Sequence, residues 1–135
     1  MLEKECIQSR GFRNIEENGE VTGFQVRIRS LYYRGVYLSQ LRPAVVTVDG
    51  EVFDGESVTW MILGKTYTQK ELEAVGDINW PLLEPATLRI AKPGGLTQGF
   101  HDIEVNYGYS ASYMPPEVDE YISRRKRNVR RLVMV

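Results

Sequence analysis

Apolar and polar residues alternate over thirteen positions near the end of the chain. His101, Ile103, Val105, Tyr107, Tyr109, Ala111 and Tyr113 fall on one phase, and Asp102, Glu104, Asn106, Gly108, Ser110 and Ser112 on the other. A period of two held for that length fits a strand and not a helix. One aromatic, apolar face and one polar face describe a half-buried antiparallel sheet. Earlier, Phe12 to Glu17 and Val21 to Arg29 flank Asn18-Gly19, and Asn-Gly predicts a hairpin because both central residues of a type I′ turn need positive φ. In the second arm Phe24, Val26 and Ile28 point one way, and Gln25, Arg27 and Arg29 the other.

Val45–Val48 and Glu51–Phe53 around Asp49-Gly50 predict a second hairpin, and Ser57–Leu63 with Lys65–Thr68 around Gly64 a third. Thr87–Ala91 is a further short strand, stopped by the turn sequence Lys92-Pro93-Gly94-Gly95. One short helix is expected over Gln69–Val75, capped by Thr68 and stopped at Gly76. Many short strands, Gly and Pro turns and no crossover helices predict an all-β, single-domain antiparallel β-sandwich with one short helix. The tail after Pro115-Pro116 admits two readings. Its acids (Glu117, Asp119, Glu120) precede its arginines, which suits a helix macrodipole, whereas Val129, Arg131 and Val133 alternate with Arg130, Leu132 and Met134. A short final strand after a flexible stretch is the reading adopted. The expected division is a β-sandwich domain over 1–116 and a basic C-terminal tail or final strand over 117–135.

At 135 residues the chain is long enough to bury a core without a disulfide or structural metal. Cys6 has no partner for an intrachain bridge. No signal-peptide pattern opens the sequence, and the longest strongly apolar run, Trp60-Met61-Ile62-Leu63, is too short to span a bilayer. A soluble cytoplasmic protein without membrane contact is therefore expected. Net charge is −1, from 17 basic and 18 acidic residues. Six of the basic and three of the acidic residues lie in 117–135, so the body is acidic and the tail basic.

Catalytic groups are sparse. His101 is the one histidine, whereas a cupin-type metal site needs several on neighbouring strands. No orienting motif surrounds Cys6 or His101 as it would in a nucleophilic pair. Pro93-Gly94-Gly95 lacks the Lys-Ser/Thr of a phosphate loop and opens no helix. The basic run at 124–127 with Arg130 and Arg131 could meet phosphates, but it lacks the interleaved aromatics of a base-stacking surface, so no nucleic-acid partner is expected. Tyr32, Tyr33 and Tyr37 with Arg34 form the unusual segment, either a strand packed on its own core or a partner-facing patch. Tyrosine and arginine are enriched at interface hot spots.

Several of these pieces occur together: Gly11-Phe12-Arg13-Asn14, Glu17-Asn18-Gly19, Thr22-Gly23-Phe24, Tyr32-Tyr33-Arg34-Gly35 with Leu38-Ser39, Val46-Thr47-Val48-Asp49-Gly50, and Lys92-Pro93-Gly94-Gly95-Leu96 before Gly99 and His101. In this order and spacing, from about Gly11 to about Pro115, the chain resembles the beta subunit of bacterial C-glycoside deglycosidases. The resemblance implies a small β-sandwich assembled with a larger TIM-barrel alpha subunit. That subunit would carry a divalent metal, manganese, and cleave the carbon–carbon bond between a 3-keto sugar and an aromatic aglycone such as a flavonoid. No catalytic residue and no cofactor would lie in this chain. Tyr32, Tyr33, Arg34, Gly35 and Tyr37 become candidates for partner contact, with Gly94 and Gly95 as a supporting turn. A carbohydrate-binding β-sandwich acting without an enzyme partner is the alternative.

Overall fold

A computed structural model describes residues 3, 5–30, 36–81, 83–107 and 128–135, Val36 in its backbone alone. Eleven strands occur among them: β1 (Arg13–Glu17), β2 (Glu20–Ile28), β3 (Val36–Tyr37), β4 (Val45–Val48), β5 (Glu51–Phe53), β6 (Val58–Ile62), β7 (Lys65–Tyr67), β8 (Asn79–Trp80), β9 (Ala86–Ala91), β10 (Gly99–Asn106) and β11 (Asn128–Met134). They form a five-stranded sheet in the order β1-β2-β9-β6-β7, a four-stranded sheet β11-β10-β4-β5 and the two-stranded pair β3-β8, all antiparallel. The described residues form an all-β sandwich with one short α-helix among them, α1 (Gln69–Glu73).

The three expected hairpins form for the expected reason. Asn18-Gly19, Asp49-Gly50 and Leu63-Gly64 all have positive φ at both positions (52° and 80°, 49° and 90°, 51° and 82°), the signature of type I′ turns whose twist matches the strands they join. The turn after β9 is different. Pro93 supplies a fixed φ, Gly94 takes φ 84°, and the Gly95 amide closes on the Lys92 carbonyl at 2.8 Å, the pattern of a type II turn.

Alternation sorts the side chains as the sequence implies. Phe24, Val26 and Ile28 of β2, Val58, Trp60 and Ile62 of β6, Leu88 and Ile90 of β9, and Ile103 and Val105 of β10 are buried between the two larger sheets. Phe24 meets Phe53 of the facing sheet edge to face, centroids 5.5 Å apart. At one end Trp60, Trp80 and Tyr107 pack edge to face or tilted with centroids 5.8–5.9 Å apart, and the Tyr107 hydroxyl donates to the Arg29 carbonyl at 3.0 Å. Trp80 Nε1 likewise donates to the Glu84 carbonyl at 2.6 Å, so these two rings bury apolar area while their polar tips find partners.

Two features depart from the expectation, and two others are met in part or lie outside the described residues. Gln25 lies on the outer phase of β2 yet is buried, because the segment before β1 folds over it and Gly11 accepts from its amide at 3.0 Å. The helix stops at Glu73, two residues early. Ser39 donates its amide to the Val75 carbonyl, and the Ala74 and Val75 amides bond three residues back, which tightens and ends the last turn. Thr68 caps it as expected, its hydroxyl accepting from the Glu71 amide at 3.2 Å. Described strand β10 ends at Asn106, and positions 108–113 of the thirteen-residue alternation lie outside the described residues. In the tail, Asn128–Met134 is indeed a strand, paired along its length with β10. The stretch before it, 108–127, lies outside the described residues.

Candidate partner interface

Of the eight large hydrophobic side chains exposed among the described residues, four lie on the outer face of the four-stranded sheet. In the β10–β11 ladder Phe100 stands opposite Val133, Asp102 opposite Arg131, and Glu104 opposite Val129. Glu104 in turn faces Thr47 of β4, which faces Val52 of β5. Phe100 is 73% exposed, Val52 58%, Val129 57% and Val133 48%, so four large apolar side chains stand in water on one sheet face. Between Phe100 and Val129 runs a two-point ion pair, Arg131 Nε to Asp102 Oδ1 at 2.8 Å and Nη2 to Oδ2 at 3.3 Å. Arg131 holds the Asp102 carboxyl below the usual carboxylate range, and Asp102 raises Arg131 in return. This part of the face is therefore apolar with a self-neutralised charge pair, and a partner need bring no counter-charge to it.

The sequence contained the signal. Val129 and Val133 lie out of phase with Leu132 and Met134, so β11 is apolar on both faces, and Phe100 occupies the polar phase of β10. A strand apolar in both phases is suited to cover on both sides. Which phase of β11 faces outward is fixed by its pairing with β10, so the local pattern alone does not single these residues out as contact candidates.

Of the candidates named from the sequence, Tyr32, Tyr33, Arg34 and Gly35 lie outside the described residues. Tyr37 is exposed at the end of β3, where its amide donates to Gln40 Oε1 at 3.0 Å. Gly94 and Gly95 form the turn already described, away from Tyr37 in the fold's hydrogen bonding: the Gly94 amide donates to the Val21 carbonyl, at the start of the β1–β2 hairpin. A Cβ on Gly94 would meet nothing, whereas one on Gly95 would lie 2.5 Å from Asn14 Oδ1 and 2.7 Å from Val21 Cγ1. Asn14 is itself fixed by two bonds of 2.9 Å to the Leu96 backbone. Gly95 is thus held by conformation and by space together.

The two potentially reactive side chains are engaged by the fold. The His101 ring is buried, with Nδ1 2.6 Å from Asp49 Oδ2 and Nε2 2.7 Å from the Thr97 carbonyl. Burial pushes the Cys6 thiol up to about 12, far from the thiolate a nucleophile requires. Among the described residues no group of three or more His, Cys, Asp or Glu could hold a metal ion. Two tail arginines have internal partners. Arg130 donates to the Ile7 carbonyl and to Glu3 Oε1, each at 2.9 Å, and Arg131 to Asp102. Across the molecule, a groove of about 250 Å³ on the five-stranded sheet runs over Gly23 between Glu17, Thr59 and Arg89, and no aromatic side chain lines it. No helix among the described residues is long and apolar enough to cross a membrane.

Fold and face together define the class: an antiparallel β-sandwich carrying a sheet face suited to burial by another protein. Residues 2–113 match the family model described as C-glycoside deglycosidase beta subunit. The chain is 43% identical over 129 residues to a protein of Eubacterium cellulosolvens named C-glycoside deglycosidase beta subunit, covering 95% of this chain and 88% of that one. It is also 30% identical over 95 residues to a Microbacterium protein named 3′-dehydrocarminate deglycosidase beta subunit, with 70% of each chain covered. The chain belongs to the C-glycoside deglycosidase beta subunit family.

Proposed function

We propose that this chain is the non-catalytic beta subunit of a hetero-oligomeric C-glycoside deglycosidase, working in the cytoplasm beside a larger TIM-barrel alpha subunit. The substrate class is a C-glycoside whose sugar has been oxidised to the 3-keto form, and the bond broken is the carbon–carbon link to an aromatic aglycone such as a flavonoid. The observation that carries this reading is membership of a family of beta subunits across nearly the whole chain. The Microbacterium relative, whose name gives a 3′-dehydro substrate, supports the keto-sugar requirement. An aryl carbanion is a poor leaving group, and a neighbouring ketone makes the sugar C–H acidic enough for a general base to remove. A divalent metal, manganese, in the partner would supply Lewis-acid polarisation. His101 has both ring nitrogens engaged and the described acids form no ligand cluster, so no step of that chemistry is assigned to them.

The role of this subunit is then to bury an apolar face against the barrel and hold its loops in a substrate-binding arrangement. We assign that contact to Phe100, Val129, Val133 and Val52, and retain Tyr32, Tyr33, Arg34, Gly35 and Tyr37 as a second candidate contact, with Gly94 and Gly95 supporting. Burying one Phe side chain stabilises an interface by about 2 kcal/mol, which is roughly thirtyfold in affinity. The test is co-purification and titration of a partner alpha subunit with Phe100→Ser and, separately, with Tyr33→Ala and Arg34→Ala combined. Phe100→Ser is expected to weaken association by that factor without unfolding the sandwich, since the side chain already stands in water. Unchanged affinity in both variants would remove both surfaces from the assembly. The carbohydrate-binding alternative has less support, because the family to which the chain belongs is one of beta subunits.

A further inference from the structure

His101 joins four segments far apart in sequence. Its ring lies between Asp49 of the β4–β5 turn and the carbonyl of Thr97, which follows the Lys92–Gly95 turn. The Phe12 ring, just before β1, meets it edge-on with centroids 6.4 Å apart. Its register partner on β11 is the apolar Leu132. A carbonyl oxygen can only accept, so Nε2 carries a hydrogen. Asp49 Oδ1 accepts the Asp102 amide at 2.8 Å while Oδ2 faces Nδ1, an ionised carboxylate taking two donors. Both ring nitrogens then carry hydrogen, and a neutral ring would satisfy only one neighbour. From this geometry we infer that His101 is a buried imidazolium, and that its extra proton is a pH-released clamp fastening the β4–β5 turn and the Thr97 segment to β10.

The surrounding charges agree. Asp49 is the charged group on the ring. Arg131 of β11 acts on Asp49 and on Asp102 beyond it, and Thr97 and Phe12 contribute a dipole and a ring without charge. Burial alone would lower the ring's pKa, but the Thr97 carbonyl and the Asp49 carboxylate outweigh it and lift it above 6.5. The Asp49 carboxyl is lowered, first by the Asp102 amide and then by the ring. A raised histidine stabilises the fold fully below 6.5 and loses that contribution as pH rises through the folded value. A lowered Asp stabilises above its ordinary 3.8 and loses that contribution as pH falls through its folded value. The clamp is therefore closed between those two folded values and opens in alkali. On opening, one proton passes from the ring to solvent. Nε2–H stays on the buried carbonyl, and the Nδ1 lone pair then faces the Asp49 carboxylate. Asp49, half exposed, turns to water and releases the turn.

The inference rests on the ring's geometry and not on the assembly proposed above. With one histidine in the chain, nitrogen and carbon NMR of the full-length protein reads this ring without overlap. At pH 6.5 both ring nitrogens are expected to be protonated in more than half of the folded protein, with the titration midpoint above 6.5. Asp49→Asn is expected to lower the midpoint by about one unit, a tenfold loss of proton affinity. A midpoint at or below 6.5 in the folded wild-type protein would overturn the inference. Should Asp49→Asn not fold, the wild-type titration decides alone. Its melting temperature should also fall across that midpoint, a step that His101→Gln lacks.

Discussion

Cys6 and Glu3 show how single side chains close the amino-terminal edge. Cys6 is buried in the core, its thiol near the Arg29 carbonyl, and its thiolate is disfavoured chiefly by burial. Glu3 accepts from the amide and hydroxyl of Ser9 and from Arg130, and these donors bring its carboxyl down to about 2 despite some opposing desolvation. Arg130 carries the link onward from β11, so the basic tail and the acidic start are tied together. The reactivity of Cys6 follows from its pKa: in the folded protein at pH 8, alkylation by iodoacetamide should run more than a hundredfold slower than in urea-unfolded chain. Mass spectrometry of the modified fraction checks this, and comparable rates in both states would contradict it. At this scale the sequence foretold faces but not partners. Alternation put His101 on the inner phase of β10, while Asp49, fifty-two positions away, meets it only because β4 and β10 are neighbours in the sheet.

Turn chemistry was the most legible level among the elements. Asn18-Gly19 and Asp49-Gly50 declare their hairpins because both residue types tolerate positive φ. Leu63-Gly64 makes the same turn with a residue that tolerates it poorly: Leu63 sits at φ 51° with its side chain exposed. A left-handed conformation costs an ordinary residue about 1 kcal/mol. Leu63→Asn should therefore stabilise the protein by about that much and raise its melting temperature by roughly 3–5 °C. Calorimetry checks this, and a lowered melting temperature would show that Leu63 makes contacts that outweigh its backbone strain. The pair β3-β8 was not foreseen, because two residues carry no period. The early end of α1 was missed because it depends on Ser39 claiming the Val75 carbonyl, a contact made across the fold. Gly23 makes the same point. A Cβ there would lie 2.0 Å from the Ile90 carbonyl oxygen, so the β2–β9 contact requires glycine, and nothing in the local sequence says which strand lies alongside.

Across the whole molecule, the sandwich was legible from many short strands with Gly and Pro turns and no helices long enough for parallel crossovers. Strand order was not, since local pattern cannot tell β2 that its neighbour is β9. Nor was the apolar outer face recognised, although β11 is apolar in both phases. The sandwich closes its own core and uses His101 and Cys6 in doing so, and it leaves Phe100, Val129, Val133 and Val52 in water. That division fits a subunit completed by another chain. The most direct test is reconstitution: cleavage of a 3-keto C-glycoside measured with this chain alone, with a family alpha subunit alone, and with the two together. Cleavage is expected from the mixture at a rate at least a hundredfold above either protein by itself. Turnover by this chain alone, or an alpha subunit equally fast without it, would contradict the assembly proposed here.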